Sequence, residues 1–236
     1  MMDKPDYSRE ALWRLSVAGF RANLIPGIVL WFVGLGVALA YYKMDSAKGF
    51  FDEVMGLKQT HGFLYSFLAT GLFGGLIPFL YLWSAGKIKK GRVASYGAFF
   101  VFYWAFRGVE VDAFYRLQSI LFGDGIDWRT IAIKVFVDQF VYCIVWSAPI
   151  TAISYGWKDA GFSWARFRQR MTRQAFFFEV GRLLLTTWIL WIPATVIIYS
   201  LPLALQVPLF NLTLCFFVLL VSVFSKDEVS GSAKQH

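Results

Sequence analysis

The chain has 236 residues, of which 58% are hydrophobic and 16% charged, and its mean hydropathy is +0.54. Soluble domains are about 45–50% apolar and about 25% charged, so this composition indicates an integral membrane protein. The net charge of +8 does not indicate nucleic-acid binding, because the aromatic residues fall inside apolar spans and because helical membrane proteins carry basic loops on one side.

Six apolar stretches are long enough, or nearly so, to cross a bilayer, which takes about 20 residues. They cover about 24–42, 62–83, 95–122, 131–153, 183–199 and 203–224. They predict an all-α bundle of six transmembrane helices in a membrane domain over 24–225. A basic amphipathic arm over 1–23 precedes this domain, and a polar tail over 226–236 follows it. Pro193 interrupts the fifth stretch, so a five-span bundle with a re-entrant Pro193 segment is the alternative.

Lysine and arginine concentrate in alternate connecting segments. The arm, the segment after the second span and the segment after the fourth span are rich in them, whereas the other loops are poorer. Six spans with both termini on the positive side, cytoplasmic or matrix, satisfy the positive-inside rule.

The segment after the fourth span predicts a basic helix lying in the membrane interface over about 160–182. Arg166, Arg170 and Arg173 fall along one helical stripe of this segment, and aromatic and other apolar side chains fall along another. Such a helix directs its basic face toward anionic lipid headgroups. An ordinary positively charged loop is the alternative interpretation.

Small side chains recur along the second span. Gly71 and Gly75 form a GxxxG motif, and Ser66, Thr70 and Gly74 are small neighbours at helical spacing. Rows of this kind allow two helix backbones to approach closely. We therefore expect tight helix packing along this span.

Four charged residues occupy the middle of the third span: Arg107, Glu110, Asp112 and Arg116. A charge exposed at the bilayer centre costs at least about 2.5–3.5 kcal/mol on insertion scales, so these residues must pair or face a polar interior. The spacings of three and four residues predict the helical pairs Arg107–Glu110 and Asp112–Arg116.

The fourth span contains a similar pair of opposite charges, Lys134 and Asp138, four residues apart, and also the amide of Gln139. One interpretation is a small-solute channel lined by these paired charges. The alternative is a structural membrane protein in which the pairs hold the helices together. A third hypothesis is a proton-coupled transporter that uses Glu110 or Asp112 as its proton site.

Residues for aqueous catalysis are scarce. The chain has two histidines, His61 and His236, and two cysteines, Cys143 and Cys215, with no spacing typical of a zinc site or a catalytic triad. We therefore predict no enzymatic activity, no cofactor and no bound metal.

Four short motifs follow one another between about Phe63 and Ser225. The first is GVEVDAFYRLQ, which contains Gly108 and Tyr115, and the second comprises Lys134, Asp138 and Gln139. The third and fourth consist of Trp188, Trp191 and Pro193, and of Pro202, Asn211, Leu212 and Ser222. In their order and spacing they resemble the GPxxHxWYxxL, KxxxDQ, WxxWP and PxxxRxxxxNL patterns of the Mpv-seventeen and twenty-two-kilodalton peroxisomal membrane protein family, the Sym-one-like integral membrane proteins.

The chain departs from the family patterns at several polar positions. Asp112 stands in place of the histidine, Val109 in place of the proline and Gln206 in place of the arginine. The resemblance implies a compact helical bundle in a mitochondrial inner or peroxisomal membrane, with channel-like passage of small solutes. A bacterial cytoplasmic membrane is an equal expectation, since the chain shows no recognisable presequence and ends in Lys234-Gln235-His236.

Overall fold

The computed structural model describes residues 6–88 and 91–232, without the side chains of 218 and 220–232. Within these ranges the chain is helical and no strand occurs, which confirms the predicted all-α class. Lys4, Lys89 and Lys90, the end of the predicted tail beyond Ser232, and the side chain of Ser222 lie outside the described residues.

The helices of the described chain follow one another with short connections. They are α1 (Arg9–Lys43), α2 (Lys48–Thr70), α3 (Ile77–Ser84), α4 (Val93–Phe122), α5 (Trp128–Phe136), α6 (Ala148–Asp159), α7 (Trp164–Arg170), α8 (Arg173–Tyr199) and α9 (Leu203–Ser232). A 3₁₀ turn (Asp45–Ala47) precedes α2, and π-helical segments join α2 to α3 (Gly71–Leu76) and α5 to α6 (Val137–Ser147).

Four helical stretches in the described part of the chain are long and apolar enough to cross a membrane. They are Arg9–Lys43, Asp45–Ser84, Trp128–Asp159 and Arg173–Tyr199, and Leu203–Phe217 is a shorter apolar helix. All five overlap predicted spans. α4, on the predicted third span, is absent from this set because its four central charged residues lower its hydropathy. Membrane location is thus supported, and the number of six spans stays a prediction.

The boundaries of three predicted segments differ from the observed ones. α1 begins at Arg9, so most of the predicted arm belongs to the same helix as the first span. α8 runs through Pro193 without a break. α2 begins at Lys48, well before the predicted span start at 62. Hydropathy marks only the apolar part of a helix, whereas backbone hydrogen bonding extends into the polar residues that flank it.

The chain divides into two compact units, which we call unit 1 (Met1–Ile25 and Phe136–Ile192) and unit 2 (Pro26–Val135 and Pro193–His236). In unit 1, a hydrophobic cluster of α6 and α8 contains Ala148, Ala152, Val180 and Leu184. The amide nitrogen of Asn23 donates a hydrogen bond of 3.0 Å to the carbonyl of Thr186, so α1 contributes a polar contact to α8.

The predicted interfacial helix over about 160–182 takes a different form in unit 1. α7 ends at Arg170 and α8 begins at Arg173, so the segment consists of two helices. The hydroxyl of Thr172 accepts a hydrogen bond from the backbone N–H of Ala175, a side-chain cap that starts a new helix. The basic residues Arg166, Arg170 and Arg173 are exposed, as the prediction requires, and Phe167 is buried.

In unit 2, α2 and the π-helical segment after it pack along α4, and α9 packs on α2. A β-carbon placed on Gly75 would lie 2.7 Å from the carbonyl oxygen of Phe100, and one on Gly71 would lie 3.1 Å from the β-carbon of Ala105. A larger side chain would push the helices apart at both positions. The close packing predicted from the GxxxG motif is therefore confirmed.

Candidate functional site: a buried ion-pair network

The backbone of α2 is kinked at Gly62, where φ is 51° and ψ is −122°. A residue with a β-carbon adopts this left-handed conformation only with strain, which explains the glycine. The Gly62 carbonyl oxygen accepts a hydrogen bond of 3.3 Å from Nζ of Lys58 and a long one of 3.5 Å from Oγ of Ser66. The carbonyl oxygen of the kinked residue is thus bound by side chains of the same helix.

Lys58 is a buried cation of this site, with 2% of the residue exposed. Its Nζ atom lies 2.6 Å from Oδ2 of Asp112 on α4. Lys58 precedes the predicted second span, which starts at about residue 62, but it belongs to α2. Lys58 therefore contributes a cross-helix partner that the third span alone did not indicate.

Asp112 is the centre of the network, and 2% of the residue is exposed. Its Oδ2 atom also accepts a hydrogen bond of 2.7 Å from Oγ of Ser66, and its Oδ1 atom accepts one of 3.1 Å from Nε of Arg116. The predicted Asp112–Arg116 pair is therefore present. Charge-assisted hydrogen bonds of this kind are roughly twice as strong as neutral ones, so the carboxylate joins α2 to α4.

Arg116 connects the network to the accessible surface of unit 2. Its side chain is 42% exposed, in contrast to 3% for Lys58. Its guanidinium carbon lies 4.8 Å from the centre of the Phe63 ring, within the range of a cation–π contact. Two basic side chains, Lys58 and Arg116, thus share one carboxylate.

The second predicted pair on α4 is also present. The guanidinium of Arg107 donates a hydrogen bond to Oε1 of Glu110, three residues further along the helix. The Arg107 side chain is 8% exposed and that of Glu110 is 27% exposed. This pair joins residues of one helix, whereas the Asp112 network joins two.

Close contact between α2 and α4 positions the network. A β-carbon on Gly108 would collide with the hydroxyl of Thr70 and with the carbonyl oxygen of Ser66. The Thr70 hydroxyl in turn donates a hydrogen bond of 2.7 Å to Oδ1 of Asn211 on α9. The predicted motif positions Gly108 and Asn211 therefore lie at one junction of three helices.

A second polar cluster of unit 2 surrounds Lys134, of which 2% is exposed. Lys134 was predicted to pair with Asp138. In the structure, the carboxylate of Asp124 lies 3.8 Å from its Nζ atom. Nε2 of Gln118 donates hydrogen bonds to the carbonyl oxygen of Lys134 (3.2 Å) and to the hydroxyl of Tyr199 (2.6 Å). The predicted motif residue Tyr115 packs edge-to-face on Tyr199.

In unit 1, the predicted residues Asp138 and Gln139 are buried in the π-helical segment. Nε2 of Gln139 donates a hydrogen bond of 2.8 Å to Oδ1 of Asp138. The indole nitrogen of Trp188 donates one of 3.3 Å to the carbonyl oxygen of Gln139. Trp191, also a predicted motif position, is half-buried on α8.

The prolines of the predicted motifs lie in unit 2. Pro193 is inside α8, and Pro202 precedes α9, where its carbonyl oxygen accepts a hydrogen bond of 2.8 Å from the N–H of Leu205. A proline just before a helix is well tolerated, because the first turn needs no N–H donor from it.

Fold and site together define an all-helical chain with membrane-length apolar helices and a buried network of paired charges. Comparison with profiles of known protein families, with curated proteins and with solved structures found no match. Functional assignment therefore depends on the residues and geometry of the chain.

Proposed function

We propose that this chain is a multi-pass membrane protein in which a buried ion-pair network locks α2 against α4. The observation that carries the proposal is the Asp112 carboxylate, which accepts hydrogen bonds from Lys58 and Ser66 on α2 and from Arg116 on α4. A carboxylate engaged by both helices is suited to hold them together.

Membrane surroundings make such a lock effective. In hydrocarbon, a separated lysine or aspartate would lack water as a substitute partner, so separation of α2 from α4 would expose unpaired charges. The carbonyl oxygen of Gly62 adds to this effect, because it also accepts hydrogen bonds from Lys58 and Ser66. The lock therefore stabilises both the helix pair and the shape of α2.

The proposed topology has six spans: α1, α2 with α3, α4, α5 with α6, α8 and α9. α4 contains 30 residues and is about 45 Å long at 1.5 Å per residue, enough to cross with tilt.

Both termini lie on the positive side, and the exposed Arg166, Arg170 and Arg173 contact anionic lipid headgroups. The membrane is mitochondrial inner or peroxisomal, as the Mpv-seventeen resemblance implies, or bacterial cytoplasmic.

The lock is tested by neutralising its two most buried charges together. Lys58→Met alone should strongly destabilise the protein in detergent micelles, whereas Lys58→Met combined with Asp112→Leu should restore most of the stability. Lys48→Met is the matched control, because Lys48 pairs with Asp45 on the surface and its side chain is 65% exposed. A double variant as unstable as the single one would contradict the lock.

A small-solute channel is the second candidate, and the accessible charges of α4 favour it. Glu110 lies near the middle of this helix and Arg116 in its last two turns, and their side chains are 27% and 42% exposed. Charged groups exposed at that depth are costly unless they face water. The candidate lining residues are those predicted from the sequence: Arg107, Glu110, Asp112, Arg116, Lys134, Asp138 and Gln139.

The channel is tested by conductance in planar bilayers. Purified protein should give discrete current steps, and Arg116→Gln should shift the reversal potential toward cation selectivity because it removes the accessible positive charge. Asp138→Asn should alter the conductance as well. Absence of current steps at every voltage, with the protein shown to be folded, would contradict the channel and leave the lock unaffected.

A further inference from the structure

Arg116 reaches from α4 to the kinked part of α2 in unit 2. Its Nε atom donates a hydrogen bond of 3.1 Å to Asp112, and its guanidinium carbon lies 4.8 Å from the centre of the Phe63 ring. A β-carbon built on Gly62 would lie 4.0 Å from Nη2, so the guanidinium also lies beside the kink. Groups of both helices therefore position this guanidinium.

The two terminal nitrogens of Arg116 have no acceptor in the part of the chain that the structure describes. Only Nε of this guanidinium donates a hydrogen bond there, and the Asp112 carboxylate that accepts it also binds Lys58 and Ser66. The side chain is 42% exposed, and neither Nη1 nor Nη2 is a buried atom. Arginine stays protonated in proteins, so the free edge of the group can bind an anion.

The surface around Arg116 is apolar on both helices. Ile120, one helical turn further along α4, is 81% exposed, and Phe63, which the guanidinium contacts, is 45% exposed. Their chain neighbours Leu117 and Leu64 are exposed as well. Exposed apolar side chains of a membrane protein contact lipid, whereas an ion pathway is lined by polar groups. Arg116 therefore faces lipid and requires an anion that lipid supplies.

The position of Arg116 along α4 suits the headgroup region. The helix ends at Phe122, six residues later, which is about 9 Å at 1.5 Å per residue. A long basic side chain near a helix end extends its charged group toward the interface while its methylene groups stay among apolar atoms. The anion at this level of a bilayer is the phosphate of the lipid headgroup.

We propose that Nη1 and Nη2 of Arg116 bind the phosphate of a membrane phospholipid through two parallel hydrogen bonds. A planar guanidinium matches two oxygens of one phosphate, and a guanidinium that is already positioned loses less entropy on binding. The exposed side chains of Phe63 and Ile120 contact the apolar part of the same lipid. The proposal rests on membrane location and on the Asp112 contact of the proposed lock, and it adds a ligand that the lock does not need.

The test measures lipid binding to the full chain in detergent micelles by native mass spectrometry. One arm titrates phosphatidylcholine, and a second titrates diacylglycerol with the same acyl chains but no phosphate. A third arm adds inorganic phosphate in large excess over phosphatidylcholine. We expect the unsubstituted chain to bind phosphatidylcholine about tenfold more tightly than diacylglycerol, the effect of one charge-assisted hydrogen bond. Inorganic phosphate should not compete, because it lacks the acyl chains that the apolar surface contacts.

Arg116→Gln removes the cation and should weaken binding of phosphatidylcholine at limiting lipid about tenfold. Arg116→Lys keeps the charge beside Asp112 without two parallel donors, so it should weaken binding about threefold, and it replaces the first variant if that one fails to fold. Arg129→Gln is the matched control and should bind like the unsubstituted chain. Arg129 also lies over a ring, that of Trp128, but among the described residues no carboxylate positions it.

Three results would each overturn the proposal. In the first, both Arg116 variants bind phosphatidylcholine as tightly as the unsubstituted chain. In the second, diacylglycerol binds as tightly as phosphatidylcholine, as expected if Arg116 faced a water-filled path. In the third, inorganic phosphate displaces phosphatidylcholine, which would assign the site to free phosphate. Failure of the lock is measured separately, by the unfolding of Lys58→Met with and without Asp112→Leu.

Discussion

Lys58 and Lys134 are both lysines of unit 2 with 2% of the residue exposed, yet their surroundings differ. Nζ of Lys58 is 2.6 Å from the buried carboxylate of Asp112 and also donates to the Gly62 carbonyl. Nζ of Lys134 lies 3.8 Å from Asp124, whose side chain is 65% exposed, and 5.8 Å from the centre of the Tyr199 ring.

The difference shows that burial alone does not tell how strongly a charge holds a fold together. Removal of one partner from a buried pair leaves the other charge uncompensated, and this residual charge causes most of the loss in stability. Removal of Lys58 would leave a buried aspartate whose remaining cation, Arg116, is partly exposed, whereas removal of Lys134 would leave an aspartate that is itself largely exposed. We therefore expect removal of Lys58 to lower stability more than removal of Lys134, although the two lysines are equally buried.

The largest expected effect is the contrast between Lys58→Met and Lys134→Met. Lys58→Met should lower the free energy of unfolding by about 1.5–3 kcal/mol, because Asp112 loses its buried cation while Ser66 and the partly exposed Arg116 still bind the carboxylate. Lys134→Met should change it by less than about 1 kcal/mol, since a methionine of similar length fills the same space. Denaturant titration in detergent micelles measures both, and equal losses would remove the distinction between the two sites.

A second test concerns the close packing beside Asp112. Gly108→Ala should destabilise the protein by about 1–3 kcal/mol, because the added methyl collides with the Ser66 carbonyl and the Thr70 side chain. In Gly56→Ala the methyl meets nothing within 4 Å, and the substitution should stabilise α2 by up to about 1 kcal/mol. Thermal unfolding of both variants in micelles measures these changes in stability. A Gly108→Ala protein as stable as the unsubstituted one would argue against tight α2–α4 contact.

Sequence spacing predicted the pairs within α4 but only part of the site. Arg107–Glu110 and Asp112–Arg116 lie three and four residues apart on one helix, so local geometry brings them together. Lys58 meets Asp112 across 54 positions, and Thr70 meets Asn211 across 141. Contacts of this range depend on helix packing, which spacing along one helix does not specify.

One signal for Lys58 is nevertheless present in the sequence. Lys58, Gly62, Ser66 and Thr70 follow one another at intervals of four, which extends the predicted row of small residues backwards along α2. The predicted span began at 62 because hydropathy falls before that point. Lys58, the first residue of this row, was therefore left outside the span. The π-helical segments were not predicted, although one of them, Gly71–Leu76, contains the glycines of the GxxxG motif.

The third test sharpens the description of the Lys134 region. The Gln118 amide donates to the Tyr199 hydroxyl, so Gln118→Leu and Tyr199→Phe remove the two ends of one hydrogen bond. A double-mutant cycle on unfolding free energy should give a coupling of about 0.5–1.5 kcal/mol. A coupling near zero would mean that this hydrogen bond does not stabilise the region around Lys134.

The smallest expected effect lies at the start of α5, the helix that carries Lys134. The carboxylate of Asp127 accepts hydrogen bonds from the hydroxyl and N–H of Thr130 and from the N–H of Arg129. The Thr130 hydrogen bonds, together with the weaker one from Arg129, hold the pKa of Asp127 below its usual value. A lowered folded-state pKa means that the cap contributes fully above the unfolded value of about 3.9 and is lost as the pH falls through the folded value.

The Thr130 amide resonance reports this cap directly. In protein solubilised in micelles, its chemical shift should titrate with a midpoint below about 3.9, because protonation of Asp127 weakens the bond to the Thr130 N–H. Asp127→Asn keeps an acceptor oxygen without a titrating group, so it should abolish this titration and preserve the start of α5. A midpoint at or above the usual aspartate value would show that the cap does not favour the ionised carboxylate. The Lys58 variants should not move this midpoint, because their lock is formed by α2 and α4.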